Sequence, residues 1–256
     1  MFEYRFEYLS EESFEILSDN GIYPIEEDFK GVGKCFIVYY GEGLEELISE
    51  AAFSCEEVQD TGWDEKWKEY LKPGNLTPTI KYNFDTDKEP DENTIVINPS
   101  MAFGTGTHPT TKCAARLLEG IVDGKKVIDV GCGSGILAIA AAKRGATQVS
   151  AFDIDPVALP NTLENIKMNR VDVKAWTGEI DSYKGEADVV IANIITSVLK
   201  MIHPAVLSLK PEYIVYSGIL DEEYEDFLNM IDISDYEVVD TNSDAEWRGV
   251  LLKCLR

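Results

Sequence analysis

The sequence predicts an α/β protein: a large domain built on a mostly parallel sheet, preceded by a small α+β unit. Three observations carry this. Val127-Ile-Asp-Val-Gly-Cys-Gly-Ser-Gly135 runs from strand-forming positions into three alternate glycines, a turn where backbone can approach a ligand closely. Ile136-Leu-Ala-Ile-Ala-Ala-Ala-Lys-Arg144 is rich in helix formers and stops at Gly145. Strand-type and helix-type segments then alternate along the rest of the chain. Strand, glycine turn and helix together make the nucleotide-binding corner of a Rossmann-like sheet.

Residues 1–58 read β-α-β-β-α-β. Residues 2–9 alternate as a strand, and residues 10–17 open a helix behind a polar cap that stops near Gly21. Strands are expected at 22–26 and 33–40, a short helix at 43–52 and a last strand near 54–58. This completes a ferredoxin-like α+β domain. Residues 59–76 are expected to be a connector, helical over 60–71 and ending at Pro73. Its Trp63, Trp67 and Tyr70 share one face, which suits packing against a domain. The large domain spans 77–256. Its expected strands lie at 79–84, 94–97, 127–130, 148–152, 171–176, 187–192, 212–217, 236–240 and 249–255.

Composition narrows the function. The 256 residues suffice for one large domain and one small one, and 45% hydrophobic content is ordinary. No apolar run approaches a bilayer span and the first residues show no signal-peptide pattern, so a cytoplasmic protein without membrane contact is expected. Cys35, Cys55, Cys113, Cys132 and Cys254 are scattered and never C-x-x-C, which predicts reduced thiols and no metal site. Cys132 has no His or Lys neighbour in the sequence to activate it. The net charge is −24, and the first 60 residues hold 16 Asp and Glu against 3 Lys and Arg, or −13. Such a surface repels phosphodiester backbones and attracts a basic partner; a solvated acidic face that confers solubility explains the same count. Under either reading, no direct nucleic-acid binding is expected.

The glycine spacing is tighter than the G-x-G-x-x-G of dinucleotide sites. In Asp129-x-Gly131-x-Gly133-x-Gly135 a carboxylate stands on the strand itself. Asp129 would repel a pyrophosphate and suit a cationic ligand, such as the ammonium and sulfonium of S-adenosyl-L-methionine. Asp153 ends the next strand about 20 residues on, the spacing at which a carboxylate takes ribose hydroxyls. Asp155 is expected to cap the following helix with Pro156 at its first position, and Pro160 to kink it. His203, before Pro204, reads as structural.

Three further segments are more specific than any glycine turn: Asn98-Pro-Ser-Met-Ala-Phe-Gly-Thr-Gly-Thr-His-Pro-Thr-Thr111, Ala192-Asn-Ile194 and Ser217-Gly-Ile-Leu220. With Trp63 and Trp67, they make the chain resemble the PrmA-type ribosomal protein L11 methyltransferases, class I S-adenosyl-L-methionine-dependent enzymes. The resemblance implies a mixed seven-stranded sheet whose last strand reverses direction. It implies Gly131, Gly133 and Gly135 along the methionine and ribose of the cofactor, Asp153 on the ribose hydroxyls and Thr111 at the methionine end. It places Phe103, Thr105 and Thr107 in a loop over the donor methyl. In that loop His108 reads as a hydrogen-bonding scaffold in preference to a base. Asn193 is implied as the catalytic residue and a cofactor contact, accepting a hydrogen bond from the attacking nitrogen; an Asn that merely ends a strand is the alternative. The implied substrate is a basic ribosomal protein in free form, methylated on lysine and N-terminal amines and recognised by the small domain. Ser100, Pro160 and a divergent N-terminal domain depart from the family. Methylation of another protein, a small molecule or RNA, and a non-catalytic adenosine-binding role, stay open on the residues alone.

Overall fold

The computed structural model describes residues 2–10, 13, 16–17, 25–29, 33–40, 44, 47–48, 52–57, 72–98 and 106–255. The chain separates into two compact units, Met1–Glu69 and Tyr70–Arg256. In the first, β1 (Phe2–Phe6) lies between β3 (Gly33–Tyr40) and β4 (Ser54–Glu57), with β2 (Ile25–Phe29) outside β3. All three pairings are antiparallel. The order β2-β3-β1-β4 is that of a ferredoxin-like unit. Strand β2 covers Ile25–Phe29, and positions 22–24 of the expected strand lie outside the described residues. Phe6, Leu17, Val38 and Leu44 are fully buried and centre this unit's core. The expected helices at 10–17 and 43–52 fall largely outside the described residues, and the 60–71 connector falls wholly outside them.

The second unit opens with a small sheet that the alternation did not separate from the main one. It comprises β5 (Gly74–Asn75), β6 (Lys81–Asn83) and β7 (Thr94–Val96), with β6 antiparallel to β5 and parallel to β7. Residues 74–75, expected in the connector, thus belong to a strand. Arg144 locks this sheet in place by donating to the Thr79 carbonyl at 2.8 Å and to Asn93 Oδ1 at 3.3 Å.

The main sheet contains β8 (Lys126–Val130), β9 (Gln148–Asp153), β10 (Val173–Thr177), β11 (Val189–Asn193), β12 (Tyr213–Leu220), β13 (Tyr236–Asp244) and β14 (Trp247–Cys254). Their order is β10-β9-β8-β11-β12-β14-β13. The pairings from β10 to β12 are parallel, and β14 runs antiparallel to both its neighbours. The last strand therefore does reverse, slotted between β12 and β13. Alternate residues of each strand feed opposite cores. Val127, Val149, Ile191 and Val215 pack with helices α1 (Pro109–Leu118), α2 (Ile136–Lys143) and α3 (Ala158–Met168). Ile128, Val190, Ile214 and Tyr216 pack with α4 (Thr196–Ser208) and α5 (Tyr224–Met230). Sequence order turns back between β8 and β11, the switch point at which such sheets bind ligands.

Two local expectations resolve here. Asp155 does not cap the helix: its Oδ1 accepts the Val157 N–H at 2.8 Å in a turn ahead of α3, which begins at Ala158 with Val157 at the cap position, so Pro156 also precedes the helix. Pro160 does not kink α3. It is the third residue of the helix, where a backbone N–H has no intrahelical partner to lose. Among the described residues no helix is long and apolar enough to cross a membrane, and no group of three or more His, Cys, Asp or Glu is arranged to hold a metal ion.

His203 is buried and serves the fold. One ring nitrogen, Nε2, lies 2.8 Å from the Asp232 carbonyl and donates to it, which leaves Nδ1 to accept from the Tyr216 hydroxyl at 2.9 Å. Both side chains are sealed from solvent, so an unpaired nitrogen could not turn to water. Tyr216→Phe should therefore lower the unfolding free energy by about 1–3 kcal/mol in urea titrations. An unchanged midpoint would contradict this role for the pair.

Candidate active site

At the carboxyl ends of β8, β9 and β11 a cleft of about 820 Å³ opens, within the range of small-molecule sites. Its floor is the glycine turn. The Gly131 and Cys132 N–H groups both donate to the Phe152 carbonyl, at 2.9 and 3.0 Å. The Gly133 N–H donates to Asp153 Oδ2 at 2.8 Å, and Asp153 Oδ1 accepts from the Asp155 N–H at 3.0 Å. Each carboxylate oxygen thus holds one backbone donor and keeps lone-pair capacity for a diol. Gly131 has φ +71°, and a Cβ there would lie 2.7 Å from Ile194 Cγ2. Only glycine fits that approach between the turn and the β11–α4 corner.

Gly131, Gly133 and Asp153 line the cleft, as do Thr111 and Asn193. Gly135 does not. It has φ +80° at the start of α2, and a Cβ on it would press 2.9 Å from Thr162 Cγ2, so it shapes the turn from behind. Thr107 is exposed and is not a wall residue. Phe103 and Thr105 lie outside the described residues.

Asp129 is corrected most sharply. It is 1% exposed and is not in the cleft wall. Alternation in β8 turns it away from Ile128 and Val130 towards the helix side, where its Oδ2 accepts the Ala138 N–H of α2 at 3.1 Å. Burial pushes its carboxyl up to about 7; the nearby Asp153 pushes the same way and the Ala138 bond opposes. The carboxylates that do line the cleft are Asp153, Glu179 and Asp181. Cys132 is inert: burial raises its thiol far above the ordinary range, and Asp129 and Asp153 add to this.

Asn193 ends β11. Its Nδ2 lies 3.4 Å from Thr111 Oγ1, a long contact, while its Oδ1 is buried and has no partner among the described residues. A buried orphan acceptor costs about 1–3 kcal/mol, so this oxygen is poised for a donor brought by a ligand. His108 caps α1. Its Nδ1 accepts the Thr110 N–H at 3.4 Å and lies 2.8 Å from Thr110 Oγ1, with the ring edge-to-face against Trp247. The scaffold reading of His108 matches this geometry.

The sequence did not single out the other walls. Trp247, from the final hairpin, stands opposite His108. Ile195, Val198, Met201 and Ile202 give α4 an apolar face on the cleft, with Ile195 63% and Met201 71% exposed. Their i, i+3, i+6 and i+7 spacing was visible but reads equally as a core stripe. Residues 178–181 form the far wall, with Gly178 held by its N–H on the Asp153 carbonyl at 2.8 Å. The residues present fit S-adenosyl-L-methionine. Asp153 offers diol acceptors, Gly131 leaves room a Cβ would fill, and among the described residues the Asn193 oxygen lacks a partner and no wall lysine or arginine awaits a phosphate.

Two outcomes follow from this geometry. Gly131→Ala should weaken S-adenosyl-L-methionine binding at least about tenfold in equilibrium dialysis, since strain and the Ile194 contact displace the floor; undiminished binding would contradict the cradle. For Asp129, the folded pKa lies above an unfolded value near 3.9. The native state therefore binds the proton more tightly, and this contribution to stability is lost as pH rises from about 4 to about 7. In urea titrations across that window, Asp129→Asn should remove this decline; the same slope in both proteins would contradict it.

A model of the family described as ribosomal protein L11 methyltransferase (PrmA) matches residues 10–254. The ribosomal protein L11 methyltransferase of Acetivibrio thermocellus is 41% identical over 207 residues, covering 78% of this chain and 66% of that protein. The namesake from Clostridium botulinum strain Eklund 17B is 36% identical over 214 residues, covering 80% and 68%. The chain thus spans about two thirds of the length of these relatives. Among solved structures, the ribosomal protein L11 methylase of Lactobacillus delbrueckii subsp. bulgaricus superposes with a TM-score of 0.66 at 27% identity, over 73% of this chain and 100% of that one. By sequence and by fold, the chain belongs to the ribosomal protein L11 methyltransferase (PrmA) family.

Proposed function

We propose that this protein transfers methyl groups from S-adenosyl-L-methionine to lysine and N-terminal amines of ribosomal protein L11. In this reading residues 1–58 recognise the protein substrate, residues 59–76 connect, and residues 77–256 carry the transfer. The observation that carries it is the buried Asn193 oxygen, without a partner among the described residues, in a cleft that Asp153 and the glycine turn also line. The names of the relatives support the substrate, and the −13 charge of the first 60 residues supports a basic protein met free of RNA, in the cytoplasm.

When bound, the donor supplies an electrophilic methyl carbon on a cationic sulfur. The chain must then present a neutral amine. With a pKa near 10.4, only about one lysine in a thousand is neutral near pH 7.4. The apolar wall of Ile194, Ile195, Val198 and Trp247 withholds water from the ammonium and favours its deprotonated form. Asn193 Oδ1 accepts an N–H of that amine and so turns its lone pair towards the methyl carbon. His108 Nδ1 is committed to capping α1, and the amine's proton leaves to water, so orientation and desolvation supply the rate.

The test incubates the protein and labelled donor with free L11, assembled ribosomes or bulk RNA in separate reactions. Label should enter free L11; label confined to RNA would overturn the reading. Asn193→Ala should lower kcat on free L11 by about 100-fold while donor affinity stays within about threefold. Full turnover by that variant would remove Asn193 from the chemistry.

A further inference from the structure

Helix α3 buries Asn161 and Asn165, and its C-cap residue Asn169 is buried one turn further on. A polar stripe inside a core is costly unless every amide is matched. Here the stripe acts as a partner for the extended segment 96–98. Asn169 accepts the Val96 N–H at 2.9 Å and donates to the Val96 carbonyl at 2.6 Å. Asn165 Oδ1 accepts the Asn98 N–H at 2.8 Å, and Asn161 donates to the Asn98 carbonyl at 3.0 Å.

Asn165 also reaches the glycine turn, donating from Nδ2 to the Ser134 carbonyl at 2.9 Å. Ser134 precedes the Gly135 cap position of α2, and the Ala138 N–H of the first helical turn goes to Asp129. Asn165 thus ties the residue just ahead of α2 to α3. One turn earlier on α3, Thr162 Oγ1 lies 2.6 Å from the Gly133 carbonyl and donates to it. The same turn carries the Gly133 N–H that holds Asp153.

We propose that Asn165 is a positioning residue for the methyl donor, its side-chain amide fixing the glycine turn against segment 96–98 so that Gly133 and Asp153 meet the donor in register. This rests on the reading that the cleft binds S-adenosyl-L-methionine. Asn165 itself is fully buried and is not in the cleft wall, so it acts only through Ser134 and the turn.

Calorimetry of S-adenosyl-L-methionine binding tests this with the full chain and three variants, each also followed by thermal unfolding. Asn165→Ala should bind about tenfold more weakly than the wild type. Asn169→Ala loses its bonds to Val96 but touches no atom of the glycine turn, so it should lose stability while binding within about twofold. Asn165→Asp keeps the acceptor for Asn98 but faces the Ser134 carbonyl with a carboxylate. Its affinity relative to the wild type at each pH should be low at pH 7.5 and recover towards pH 5.5, as a protonated carboxyl regains the donor. This profile decides the matter if Asn165→Ala does not fold. Undiminished binding by Asn165→Ala, an equal loss in Asn169→Ala, or a flat Asn165→Asp ratio would overturn the inference. Absence of binding by the wild type would overturn the donor site along with it.

Discussion

The end of β9 holds the turn that follows β8, and the rest of the site depends on that coupling. The Phe152 carbonyl takes the N–H groups of Gly131 and Cys132, and the next residue, Asp153, takes that of Gly133. Three consecutive backbone donors are thus committed to two consecutive residues of the neighbouring parallel strand. The turn can curl so tightly because glycines occupy the positions with positive φ. A side chain at 131 would collide with the β11–α4 corner that carries Asn193. The turn, the Asp153 carboxylate and the Asn193 amide are therefore one mechanical unit, set by strand pairing.

Much of that unit could be read in the sequence because its parts are local. Glycines two apart after a strand, an acid closing the next strand and an Asn closing a later one are short patterns with few other uses. The direction of Asp129 is also encoded locally, against the motif's suggestion of a ligand-facing carboxylate. Alternation along Val127-Ile-Asp-Val130 puts residue 129 on the face opposite Ile128 and Val130, under α2, not on the strand's ligand-facing end. Gly135 shares the motif without being a wall residue: its φ and the close approach of Thr162 place it behind the turn.

What stayed hidden is long-range. Trp247 meets His108 only because β14 runs back between β12 and β13 and brings the final hairpin to the cleft. The apolar face of α4 could be seen but not assigned, because a stripe that lines a cleft and one that fills a core have the same period. The buried asparagines of α3 repeat every four residues, which on a sequence alone describes a solvated face. Their partners are backbone groups nearly 70 residues away, and no local pattern announces them. The small sheet of β5 to β7 escaped for a related reason: strands of two or three residues carry too little alternation to be told from loop.

The electrostatics divide in the same way. Asp129 is spent on the start of α2 inside the fold, while Asp153, Glu179 and Asp181 line the cleft. Net negative charge is concentrated in the first 60 residues. A cationic, phosphate-free donor and a basic acceptor suit both features, whereas a pyrophosphate coenzyme would face Asp153 with no wall lysine or arginine among the described residues to offset it. The most direct measurement is calorimetric competition between S-adenosyl-L-methionine and a nicotinamide dinucleotide for the wild-type protein. Saturable binding of the sulfonium compound, undisturbed by the dinucleotide, is the predicted result. Tight binding of the dinucleotide with none of the sulfonium compound would contradict the account.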